Sequence, residues 1–205
     1  MIDCHNQDSA LNKIVKVSLS VVSEPTLLEE IIQEIEDKSS GPICSMFKAL
    51  FKKNILTEFG MLNDFLACFF ATKRISEITI YDASNLGVKC FFMPKNTMFP
   101  LHDHPNKVIC TGVLYGKLKY LSLNKEEGGW YEMGKKGMAK VSDVLFSTQE
   151  IRNIHSLLAI EDSIILDIFM PNYADDDDSN SFKIIKKRKR SFKLEKYTVP
   201  KHKAN

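Results

Sequence analysis

Residues Ile75–Pro105 read ISEITIYDASNLGVKCFFMPKNTMFPLHDHP. Two β-branched and aromatic runs, Ile78-Thr79-Ile80-Tyr81 and Val88 to Met93, flank the turn residues Asn85 and Gly87, and Pro94 closes the second run. Such side chains pack well on a pleated surface, and Gly, Pro and Asn interrupt it. The pattern continues downstream through Val108 to Leu114, Leu118 to Leu123, Trp130-Tyr131, Val144-Leu145-Phe146 and Ser163 to Met170, with Gly116, Gly128-Gly129 and Gly137 between the runs. Many short strands at this spacing predict an all-β sandwich or barrel, here an antiparallel barrel.

Upstream of Ile75 the period changes. Thr26-Leu27-Leu28-Glu29 has the spacing of a capping box, and Leu27, Leu28, Ile31, Ile32 and Ile35 then recur at helical intervals. Ser39-Ser40-Gly41-Pro42 ends that segment. A second helical stretch carries Met46, Phe47, Leu50 and Phe51, and a third carries Leu62, Phe65, Leu66, Phe69 and Phe70. The expected fold is mainly β, with a helical N-terminal segment over residues 1–74 packed on a barrel domain over 75–205.

Composition sets the outer limits. A chain of 205 residues, 44% hydrophobic and 26% charged, has an ordinary globular balance and is expected to form about one domain with a real core. Its longest apolar runs, Phe65 to Ala71 and Ile164 to Met170, fall far short of the ~20 residues that span a bilayer. The opening MIDCHNQDSA has no basic n-region and no apolar core, so no secretory signal is expected. Cysteines at 4, 44, 68, 90 and 110 form no CxxC pair, which excludes a zinc ribbon or thioredoxin-type site and fits reduced thiols in the cytosol. The formal charge of +2 hides an asymmetry: residues 183–205 carry +9, leaving about −7 on the rest. Asp175 to Asp178 and the five basic residues Lys186 to Arg190 read as solvated loops, or the basic run as a nuclear import signal or polyanion patch. No stacking aromatics interleave the basic residues, so nucleic acid is not the expected partner.

The five histidines direct attention to one place. His102 and His104 stand two apart in Pro100-Leu101-His102-Asp103-His104-Pro105, a spacing that puts both imidazoles on one face of an extended segment. His155, in Asn153-Ile154-His155-Ser156-Leu157, lies in a later strand that can return to the same interior, while His5 and His202 sit near the termini. Each alone is as well read as a surface or hydrogen-bonded histidine; the three together can hold a metal. Asp167 interrupts the apolar Ile164 to Phe169, and a buried carboxylate there needs a partner. A hairpin of 155–159 with 163–167 across Ile160-Glu161-Asp162 would place His155 opposite Asp167; a loop one residue shorter would separate them. Cupin barrels usually add a Glu shortly after His-x-His, but Asn106 to Cys110 offers no acid. Cys110 reads either as a residue inside the site or as a small buried apolar side chain.

The segments PLHDHP (100–105), VLYG (113–116), NIHSLLA (153–159) and LDIFMPNY (166–173) resemble the thiol dioxygenases that include cysteamine dioxygenase and the plant cysteine oxidases. The resemblance covers roughly residues 75–175. It implies a cupin, a double-stranded β-helix, holding non-haem Fe(II) by His102, His104 and His155, with Asp167 and Tyr173 as pocket residues. It implies that O₂ converts a thiol, cysteamine or the N-terminal cysteine of a protein, to a sulfinic acid, feeding oxygen-dependent degradation in the cytoplasm or nucleus. A monomer is expected. Two departures stand out. Where relatives carry a Cys-x-Tyr-Tyr-like segment, this chain has Asn180 to Ile185 with neither residue, and the stretch between His104 and His155 is short. The rival readings are a three-His zinc cupin hydrolase or isomerase, and a non-enzymatic metal-binding cupin.

Overall fold

Three amphipathic helices open the chain, each started by a local device. α1 (Ala10–Ser23) is capped by Ser9, whose hydroxyl accepts from the Asn12 N–H at 3.0 Å. Its buried positions Leu11, Ile14, Ser18 and Val21 recur every three or four residues, and the Ser18 hydroxyl donates to the Ile14 carbonyl. α2 (Pro25–Glu36) and α3 (Pro42–Phe51) both begin on proline, whose fixed φ suits a first helical turn. The predicted capping box is therefore not used: Pro25 starts α2 before Thr26 can cap it, and Glu24 caps without a side-chain hydrogen bond. The two carboxylate oxygens of Glu34 in α2 instead accept from the Ile43 and Cys44 N–H groups, at 2.9 and 2.6 Å, satisfying the start of α3. The computed structural model describes residues 9–37, 40–52, 71–173 and 179–197. The helical stretch expected around Leu62 to Phe70, the run Asp175 to Asp178, Cys4, Cys68, His5 and His202 lie outside those residues.

Eleven strands follow among the described residues: β1 (Ser76–Ala83), β2 (Leu86–Met93), β3 (Met98–His102), β4 (Val108–Tyr115), β5 (Lys117–Lys125), β6 (Trp130–Lys140), β7 (Val144–Ser147), β8 (Ile154–Ala159), β9 (Ser163–Met170), β10 (Ser181–Arg188) and β11 (Ser191–Tyr197). They form a five-stranded sheet in the order β1-β2-β9-β4-β7, and a six-stranded sheet β10-β11-β6-β5-β8-β3 that closes on itself where β10 meets β3. Every pairing is antiparallel. The result is the mainly β double-stranded β-helix with N-terminal helices.

Three apolar layers hold these parts together. Phe47, Phe51, Cys44, Ile14 and Ile35 of the helices pack on Cys90, Cys110, Leu166 and Ile168 of the five-stranded sheet. The opposite side of that sheet, with Phe91, Ile109, Val113, Ile165 and Phe169, packs on Leu118, Leu157 and Ala159 of the six-stranded sheet. Inside the six-stranded sheet lies a smaller core of Leu123, Ile154 and Phe192. Cys110 thus faces the helices, and it, Cys44 and Cys90 are free, buried thiols whose pKa burial raises. Gly112 on β4 is the point of closest approach, since an added Cβ would sit 1.9 Å from the Phe51 ring. Gly112→Ala is expected to cost about 1–3 kcal/mol by displacing that ring, read as a lowered melting temperature.

Two expectations are corrected. β8 and β9 are not a hairpin: β8 pairs with β3 and β5, β9 with β2 and β4, and Ile160-Glu161-Asp162 crosses between sheets. All eight residues of β9 are buried, and a central place with a neighbour on each edge satisfies its backbone as an isolated hairpin would not. Nor is the basic run a loop, because Lys186 to Arg188 belong to β10, and β11 returns to pair with β6.

Candidate metal centre

The turn after β3 and the register of β8 bring three imidazoles together. His102 ends β3 and lies directly opposite His155 on β8. His104 follows two residues later, its backbone N–H held by the Asn153 side chain at 2.8 Å. The ring centroids of His102 lie 4.8 Å from His104 and 4.5 Å from His155, and those of His104 and His155 lie 5.0 Å apart. One ligand atom from each falls within 4.8 Å of the others.

The outward nitrogen of each ring is tethered. His102 Nδ1 meets the Pro100 carbonyl at 2.8 Å, and His155 Nδ1 the Asn153 carbonyl at 3.0 Å. His104 Nδ1 bonds the Tyr173 hydroxyl. A neutral imidazole that donates from Nδ1 keeps the Nε2 lone pair for a metal. His104 and His155 turn those Nε2 atoms to 3.3 Å from each other. Two nitrogens each about 2.1 Å from one ion stand roughly 3.0–3.4 Å apart, depending on the angle between them. Burial holds all three rings below the usual imidazole range, His155 down to about 3, and the neighbouring imidazoles push His104 and His155 further the same way. They are therefore neutral at physiological pH, the state in which imidazole binds metal. The donor set fits a divalent ion, and no carboxylate belongs to it.

A cavity of about 330 Å³ opens beside the three rings. Phe91, Phe99, Leu157 and Phe169 form apolar walls, and Asp167 and Tyr173 also line it. Asp167 thus meets His155 across the cavity from the facing sheet, rather than as a hairpin partner. Thr111, its neighbour on β4, hydrogen-bonds one side of the carboxyl, while Oδ1 is buried without a partner. Burial pushes its pKa up to about 7, against the lowering effect of the Thr111 bond. Lys89, its neighbour on β2, turns instead to Glu77 at 3.2 Å near the rim. The carboxyl thus lines the cavity and keeps an unspent acceptor in its buried Oδ1.

Several supporting residues escaped the sequence reading. Asn153 holds the His104 backbone with its side chain and His155 with its carbonyl. Asn172 accepts from the Tyr173 N–H and donates to Asp82, which fixes the turn that delivers Tyr173. Lys107, almost wholly buried, lies 4.4 Å above the Tyr173 ring. A polar side chain in a turn is ordinary, so only position relative to the histidines distinguishes these residues.

The family model PCO_ADO, that of the plant cysteine oxidases and cysteamine dioxygenases, matches residues 67–198. The chain belongs to this family. Membership in PCO_ADO implies a thiol dioxygenase, and the match takes in all three histidines, Asp167 and Tyr173. No curated protein matches the chain significantly. Among solved structures, KdgF from Halomonas sp. is 20% identical with TM-score 0.39, over 48% of this chain and 82% of that one. An RmlC-like cupin from Desulfovibrio desulfuricans is 19% identical with TM-score 0.40, over 50% and 87%. One from Shewanella frigidimarina is 14% identical with TM-score 0.42, over 50% and 81%. No described helix is long and apolar enough to cross a membrane.

Proposed function

We propose that this chain is an Fe(II)-dependent dioxygenase that adds both atoms of O₂ to the thiol of a protein N-terminal cysteine or of cysteamine. The observation that carries the reading is the pairing of three tethered, neutral imidazoles with a carboxyl whose Oδ1 has no partner, across one cavity. The balance is simple: a thiol and O₂ give a sulfinic acid, the sulfur losing four electrons and the two oxygen atoms gaining them. An Fe(II) ion held by His102, His104 and His155 supplies the one-electron chemistry that lets O₂ react with sulfur.

The chain's own groups do the rest. Three neutral ligands leave the full +2 charge at the site, which favours a thiolate over a thiol. Asp167 Oδ1 receives the substrate ammonium, an ion placed near every N-terminal cysteine thiol and in cysteamine. Thr111 holds the other side of that carboxyl. Tyr173 accepts from His104 Nδ1 and lines the cavity, where its hydroxyl is placed to donate to the reacting group. The aromatic walls keep bulk water from the reacting sulfur. In a cell this oxidation marks an N-terminus for oxygen-dependent degradation, in the cytoplasm or nucleus.

The direct test incubates the iron-loaded chain aerobically with cysteamine, free cysteine and Cys-initiated peptides. A mass gain of two oxygen atoms on one of them is the expected result. Metal binding without oxygen uptake on any thiol would establish a binding module instead. Metal analysis of protein purified without added metal separates iron from the zinc alternative.

Tyr173→Phe tests the tether on His104. The phenol is the only partner of that Nδ1 among the described residues, and losing such a partner typically costs about 10–100-fold in metal affinity. The expected result is weakened iron binding with the fold intact, read by metal titration. Unchanged affinity would assign Tyr173 to the cavity wall alone.

A further inference from the structure

The chain concentrates its positive charge on the β10–β11 hairpin, and the metal site makes no use of it. Residues 179–197 hold eight Lys and Arg against the single acid Glu195, while the remainder of the chain outside 183–205 is acidic overall. The inner side of the hairpin is structural: Phe182, Phe192 and Leu194 pack with Leu123 and Ile154. On the outer side, Lys183 is paired with Glu195 at 2.7 Å. Beyond that pair, Lys186 stands directly opposite Lys193, and the basic run continues round the turn to Arg190. Like charges opposite each other destabilise a ladder, and no carboxylate among the described residues pairs with either lysine. Ile184, opposite Leu194, belongs to the inner side, so the outer face beyond the ion pair is marked by charge, and nothing described covers it.

The base of the hairpin is fixed at the cavity. Ser179 and Ser181 line the cavity, and Ser181 pairs with His102. The Asp103 carboxylate, between the two histidines, accepts from the Asn180 backbone and side chain at 2.8 and 2.9 Å. A strand advances about 3.3 Å per residue, so Lys186 lies roughly 17 Å and Arg188 roughly 23 Å along β10 from Ser181. A polypeptide leaving the cavity extended covers that distance in roughly five to eight residues.

We propose that the outward face of the β10–β11 hairpin docks an acidic stretch of the polypeptide substrate, five to eight residues after the thiol-bearing N-terminus held in the cavity. This rests on the reading of the cavity as a site for an N-terminal cysteine. The acidic body repels such a peptide elsewhere, and the hairpin draws it along the one path that starts at the metal centre. A polypeptide is favoured over a nucleic acid because the hairpin offers no stacking platform: Arg188 covers Trp130 at 4.2 Å, and Phe192 is buried beneath Lys187.

The test uses the full iron-loaded chain and two Cys-initiated peptides, identical for the first five residues, with residues 6–9 either Asp/Glu or Asn/Gln. The acidic peptide is expected to show a KM about tenfold lower at low salt, with kcat alike, and the gap closes as ionic strength rises. Direct binding of labelled peptides, followed by fluorescence anisotropy without turnover, is expected to show the same ratio. K186Q/K193Q abolishes the ratio; because the ratio is taken within one protein, partial loss of active protein does not disturb it. Equal KM and equal binding for the two peptides overturns the docking while leaving thiol oxidation standing. Tighter binding of a single-stranded oligonucleotide than of the acidic peptide at physiological salt overturns it in favour of nucleic acid. Failure to oxidise any thiol removes the cavity reading and the docking with it.

Discussion

His155→Ala is expected to leave a folded barrel that no longer holds its metal. The ring contributes one of only three donors, and its position opposite His102 and next to Ser122 in the ladder does not depend on the imidazole. Removing a ligand should weaken binding by more than the ~10–100-fold that a lost ligand-orienting partner costs, and oxygen uptake should vanish with it. His102→Ala is expected to behave alike. Metal titration with circular dichroism checks both, and normal iron binding after the two changes would falsify the assignment.

The same substitution should change how the metal-free protein meets acid. Burial holds His155 near 3 in the fold, against 6.5 for a free imidazole. Between those values the unfolded chain binds the extra proton, so stability is full above about 6.5 and is lost as pH falls toward 3. Metal-free His155→Ala lacks this contribution and should lose less stability over that interval, measured by denaturant titration at several pH values.

Asp167→Asn is expected to retain iron and lose most turnover on amine-bearing thiols. The amide keeps the shape and the Thr111 contact but cannot neutralise an ammonium. Leaving a buried charge unmatched costs on the order of 10²–10³-fold in kcat/KM. The pH profile carries the sign. The buried carboxyl titrates near 7 without metal, and a dication nearby draws that value lower. Below it the group is neutral and holds the ammonium poorly, so kcat/KM should fall toward acid pH. Asn should flatten this limb, and a thiol lacking an amine should not show it. A variant with unchanged activity and profile would remove Asp167 from the reaction.

The grouping of three histidines is legible because histidine is scarce here and the two-residue spacing with a later third ring allows few arrangements. Cys110 was legible only as an alternative, since Pro105 obscures which face β4 presents. His155 and Asp167 line one cavity, but from facing sheets and not across the hairpin that the sequence suggests. Local sequence cannot tell a tight turn from a crossover of the same length, because the choice rests on which edges the apolar β9 needs covered. The capping box failed for a similar reason: Thr26 and Glu29 have the right spacing, but Pro25 starts the helix two residues too early. The hairpin of β10 and β11 was hidden by charge. Its lysines alternate with Phe182, Ile184, Phe192 and Leu194, a period-two signal masked by the basic run.

The crossover after Ala159 has a consequence for selectivity. It puts His102 and His155 on one wall and Asp167 on the other, so the interval between the three imidazoles and the carboxyl is set by how the two walls pack, about 10 Å from backbone to backbone. In the proposed reaction the barrel would thereby serve as a calliper for the separation of sulfur and nitrogen in whatever enters. Enlarging Leu157 or Phe169, which line the cavity, would narrow the jaws and shift preference toward shorter aminothiols, with neither chemical group altered.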